Sequence, residues 1–259
     1  MFALPLPALA GSPFDAPLQV RHVRLPPDPQ NPNAKRQVSC FYYRSIVVKQ
    51  VDYGEVGAER LALLPVLYGN ATPCRAARES NEYVIPADSW SGYFKGVKAE
   101  YAFFDAPDGT NGGLGFMVMR VYGRRSLFED TAQHGIESLD IQEGTLRLRY
   151  QRVFAADCSV LTAGNECRER LVHDTGVAER SFSICAQGYQ AARQMMAKGR
   201  CNAQGHTEPA CVSDELARLH AQKWDDAPTV IVYEVEASLN EEGPVISRRG
   251  DALACHPSD

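Results

Sequence analysis

Apolar and polar residues alternate along much of the central chain. In the segment 145–152, Leu146, Leu148 and Tyr150 fall on one side, and Arg147, Arg149 and Gln151 on the other. A period of two is that of a half-buried β-strand. Similar patterns predict strands at Phe41–Val51, Gly92–Phe104, Phe116–Tyr122, Ser126–Glu129 and Thr229–Leu239, the last followed by a short hairpin to Val245-Ile246. Turn signals separate them: Pro107-Asp108-Gly109, Asn111-Gly112-Gly113, Gly123 and Glu143-Gly144. Short strands at this spacing predict a mainly β, antiparallel fold: a sandwich, a barrel or a small propeller-like sheet.

The alternation breaks at about 156–225. Ala186–Lys198 is rich in Ala, Gln, Arg and Met, and Gly199 follows as a stop. Ser213 is a candidate cap for a second helix carrying Leu216 and Leu219 on one face. This region reads as a disulfide-bound, partly helical insertion. The expected organisation is residues 1–10 as the remnant of a signal peptide, 11–37 as a Pro-rich extended arm, and 38–259 as a single β-rich domain carrying the insertion.

The N-terminal reading rests on two features. Ala8-Leu9-Ala10 has the small-x-small form of a cleavage site, and the residues before it are mostly apolar. A complete signal peptide also needs a basic start and a longer apolar core, and no Lys or Arg precedes Arg21, so the stretch reads as the tail of one. Eight of the 16 prolines lie in the first 32 residues, so the following stretch lacks backbone donors and reads as extended. No run approaches the roughly 20 apolar residues a membrane helix needs.

Eight cysteines, none in a C-x-x-C, point to disulfides and hence to a periplasmic or secreted protein. Cys158 with Cys167 and Cys201 with Cys211 would close short loops. Cys40 with Cys74 would join neighbouring elements, which leaves Cys185 for Cys255. A net charge of -5 argues against a general nucleic-acid binder, which needs a basic face.

Candidate chemistry is sparse. Ten of the 23 aromatic residues lie between Tyr83 and Phe128. Phe103 and Phe104 point to opposite faces of a strand, so either the sheet is covered on both sides or one set is exposed for stacking. Trp90, Tyr93, Tyr101 and Phe103 are the candidates for such a surface. Asp105, Asp108 and Asn111 offer hard oxygen ligands for calcium, although a hairpin turn explains the same residues.

Cys201-x4-His206-x4-Cys211 has three residues of a zinc knuckle, but Lys198 stands where the fourth ligand belongs. Asp174-Thr175-Gly176 is the aspartic-protease triplet in a single copy. Arg249-Gly250-Asp251 and the glycosylation acceptor Asn70-Ala71-Thr72 need only chance and a turn. Neither H-E-x-x-H nor G-x-S-x-G occurs.

Trp90-Ser-Gly-Tyr-Phe-Lys-Gly, the Asp-Gly-x-Asn-Gly-Gly turn at 108–113 and Leu127-Phe-Glu-Asp130 together resemble an uncharacterised group of exported bacterial proteins. The resemblance covers roughly 38–160 and the Cys255-His-Pro segment, and it implies bacterial export without implying an activity. The resulting expectation is a non-catalytic, exported binding or assembly protein. Its partner would be a polysaccharide, another protein or a second copy of the chain. The alternative is a periplasmic or secreted hydrolase using acids such as Asp105, Asp108, Glu129 or Asp130 beside the aromatics.

Overall fold

In the computed structural model, residues 12–66, 72–206 and 208–258 are described. The described residues are mainly β, 45% strand against 22% helix, in two antiparallel sheets that do not close into a barrel. The first sheet has the order β1 (Gln19–Arg24), β2 (Gln37–Tyr42), β3 (Ile46–Asp52), β4 (Arg60–Pro65) and β5 (Tyr83–Val84). The second contains β6 (Tyr93–Lys98), β7 (Tyr101–Thr110), β8 (Gly113–Arg120), β9 (Arg125–Gln142), β10 (Thr145–Ala155), β11 (Thr229–Asn240) and β12 (Gly243–Pro257), neighbouring one another in that order. Between β10 and β11 lie α1 (Gly164–Thr175), α2 (Cys185–Ala203) and α3 (Pro209–Ala221).

The chain forms two compact units, and the division falls inside β7, β8 and β9. The first unit is a sandwich. Ile46 and Val48 of β3 and Leu61 and Leu63 of β4 pack against Val97, Ala102, Phe104, Met117 and Met119. The opposite face of β2–β4 buries Val38, Cys40, Val47, Val51 and Leu64 under the segment around Cys74 and Ala76. Lys49 lies on this second face because it alternates with Val48 and Gln50.

Lys49 is 1% exposed, and it donates to the fully buried Glu82 and to the Ala77 carbonyl at 2.9 Å. Arg60 Nε reaches Glu82 at 3.2 Å. A buried ion pair stabilises little in net terms, but losing one partner is costly. The network, together with the Cys40–Cys74 disulfide, fastens the 74–82 segment to the sheet.

The expected arm is extended, and in part it is a strand. β1 pairs with β2 from Gln19↔Tyr42 to Arg24↔Gln37. Ahead of it, Phe14 seats its ring on Gly96, where a Cβ would come within 2.4 Å of the ring. Phe14 also meets Phe103 edge-on at 5.2 Å. This answers the question raised by Phe103 and Phe104. Phe104 fills the sandwich, the arm covers Phe103, and both rings are 0–1% exposed.

The second unit pairs β10 with β11 in unbroken register, from Leu146↔Leu239 to Ala155↔Val230. Leu146, Leu148, Tyr150, Val235, Ala237 and Leu239 share one buried face. The region 156–225 is helical and carries three disulfides: Cys158–Cys167, Cys201–Cys211 and Cys185–Cys255. The last ties α2 to β12, and Gly188 makes that approach possible, since a Cβ there would lie 1.7 Å from the Cys255 carbonyl oxygen. α3 starts at Pro209, which suits a first helical turn, rather than at Ser213.

Candidate functional site

A cleft of about 430 Å³ opens in the first unit. The arm and three turns build it. The arm supplies Asp15, Ala16 and Leu18, the β2–β3 connection supplies Tyr43, Arg44 and Ser45, and the β6–β7 connection supplies Ala99 and Glu100. Tyr122, just after β8, completes the wall and is 55% exposed. A second depression of about 220 Å³, lined by Leu63, Pro65, Val121 and Arg124, shares Ser45 and Tyr122 with the first. Tyr122 therefore lines both hollows.

The cleft's acids are occupied. Asp15 accepts from the Ala99 amide at 2.6 Å and pairs with Lys98 at 3.4 Å. Its own amide donates to the Val97 carbonyl. Glu100 pairs with Arg120 at 3.2 Å. The Tyr43 phenol is pushed up to about 12, chiefly by burial and then by the Asp15 carboxylate, with a backbone hydrogen bond at Val97 pulling the other way. It is therefore a neutral hydroxyl at any physiological pH. The cleft offers aromatic faces, a hydroxyl and fixed carboxylates, which is the equipment for holding a polar ligand.

The residues singled out from the sequence lie elsewhere. Tyr101 and Phe103 are buried, at 3% and 1% exposure. Trp90 and Tyr93 are half-buried against the sandwich core, and Tyr93 Oη accepts from the Gly57 amide at 2.9 Å. Asp105 accepts from Lys95 at 2.7 Å, Asp108 is exposed, and Asn111 sits in a left-handed turn with Gly112. Among the described residues no three His, Cys, Asp or Glu side chains gather as a metal-binding group.

The remaining motifs have local explanations. Cys201 and Cys211 form a disulfide, so they are not a thiolate pair for zinc. Asp174-Thr175-Gly176 is the end of α1, with Gly176 as its left-handed cap. Glu129 is exposed and Asp130 is engaged within the second unit. Asn70 and Ala71 lie outside the described residues.

Tyr43, Tyr122 and Asp15 were not singled out from the sequence. The turn Tyr43-Arg44-Ser45 contains no Gly, Pro or Asn, so it reads as the middle of one strand. A signal existed in Phe41–Val51 itself, since eleven residues exceed the usual five or six of a strand. No family model matches the chain, and no curated protein or solved structure is found similar to it.

Proposed function

We propose that this is an exported binding protein whose cleft around Tyr43 and Tyr122 holds a neutral saccharide. The observation that carries the reading is the half-exposed Tyr122 ring beside acceptors that are already fixed in place. Sugars present an apolar C–H face and a hydroxyl rim, and an amphipathic ring next to positioned oxygens matches both. The carboxylates of Asp15 and Glu100 spend acceptor capacity on the protein itself, which suits positioning better than proton transfer. Four disulfides support a location outside the reducing cytosol.

The test is a calorimetric screen of soluble neutral oligosaccharides, followed by Tyr122→Ala. The expected result is binding by at least one sugar, weakened about fivefold or more by the truncation, as expected for loss of an aromatic contact to the ligand. Melting temperature should not move, because the ring is mostly exposed. A screen with no binder, or a Tyr122→Ala variant of equal affinity, sinks the proposal.

A further inference from the structure

The second unit contains a buried polar cluster on the face shared by β10, β11 and β12. Arg152 pairs across from Tyr233, and Arg248 pairs across from Val235, two residues further along the same face. Asp130 is spent within the cluster. It accepts from Tyr150 Oη and, at 3.0 Å, from Arg152 Nε. Arg152 Nη1 also donates to Tyr233 Oη at 3.3 Å.

Arg248 is different. Its side chain is only 14% exposed, yet its Nε and Nη2 are buried with no hydrogen-bond partner among the described residues. The nearest carboxylate is Asp251 at 3.7 Å, beyond hydrogen-bond reach and itself 86% exposed. Leaving a buried cation so poorly compensated is costly. The two unpartnered nitrogens form one edge of the guanidinium, and that edge is the fork that grips two oxygens of a planar or tetrahedral anion.

We propose that Arg248, with Arg152 and Tyr233 beside it, forms a binding site for an oxyanion, either a carboxylate or a phosphate group. Asp251 is its built-in competitor. In β12, residues 249–252 bulge out opposite the single residue Glu234. Gly250 takes a left-handed φ of 64° in this bulge, and Arg249 anchors it to Glu236 at 3.1 Å. The Arg-Gly-Asp triplet is therefore the bulge that swings Asp251 back toward Arg248. An incoming anion displaces Asp251 into water, where most of that carboxylate already lies. This site is independent of the saccharide cleft and stands whether or not a sugar binds there.

The test titrates inorganic phosphate and, separately, acetate into the whole protein at fixed ionic strength, with chloride as the matched control. The readouts are heat and melting temperature. The expected result is a saturable rise in melting temperature with one or both oxyanions and none with chloride, since a ligand of the native state stabilises it. The anion that binds identifies the group. Arg248→Gln should weaken binding about tenfold or more. Asp251→Asn should tighten it severalfold, because the resident competitor is gone.

No saturable shift with either oxyanion overturns the site, as does unchanged affinity in Arg248→Gln. Should Arg248→Gln fail to fold, Asp251→Asn decides: tighter binding supports the site, and unchanged binding overturns it.

Discussion

The sandwich of the first unit and the helical region of the second keep their shapes by different means. The sandwich buries whole faces of β3, β4, β7 and β8, carries one disulfide, and uses an ion-pair network to hold its covering segment. Residues 156–225 bury fewer large side chains, among them Leu171, Phe182, Tyr189 and Leu219, and carry three disulfides. A chain of this length has core enough without covalent help. The bridges sit where the apolar pattern is thinnest, so cross-links substitute for burial locally.

The strongest way to break this contrast is at Lys49. Lys49→Met leaves Glu82 buried with Arg60 as its remaining charged partner, and the expected loss is about 3 kcal/mol in a denaturant melt. Lys49→Met with Glu82→Leu should recover most of it. A single variant as stable as the parent would show that the network does not hold the covering segment. A smaller effect is expected for Cys158→Ser with Cys167→Ser, about 2–3 kcal/mol for so short a loop. Hydrogen exchange should then rise across 156–225 while β10 and β11 stay protected. Equal loss of protection in both would mean that the bridges serve the sheet as well.

The smallest effect is alkaline. Burial raises the phenols of Tyr150, Tyr189 and Tyr233, and Tyr43 moves from 10.0 to about 12. These groups keep their protons in the native state after the unfolded chain has lost them. Their contribution is therefore complete below pH 10 and is lost as pH rises through the native values. Phenolate absorbance should show a late-titrating set that Tyr43→Phe reduces by one. A single titration of all tyrosines near 10 would contradict the burial argument.

Much of the second unit was legible in the sequence. β10 and β11 alternate because each has one buried face, and the unit's three disulfides coincide with the expected pairings, as does Cys40–Cys74 in the first unit. The first unit was harder to read. β4 is buried on both faces, so Leu61-Ala62-Leu63-Leu64 shows a run rather than alternation. β1 is exposed at all six positions, so hydrophobic patterning gives no sign of it amid the prolines. β9 extends to Gln142 although Gln133-His134-Gly135 looks like a loop. The cleft was illegible for a related reason: it is assembled from the arm and three turns, and the turn bearing Tyr43 has no Gly, Pro or Asn to mark it.

The Cys185–Cys255 bridge also has a consequence in time. Cys158 and Cys201 meet partners nine and ten residues later, whereas Cys185 must wait for a partner made 70 residues after it. During synthesis Cys185 is thus an unpaired thiol while Cys201 and Cys211 pass beside it. Correct oxidation therefore requires Cys201 and Cys211 to pair with each other, leaving Cys185 for the sulfur that β12 brings.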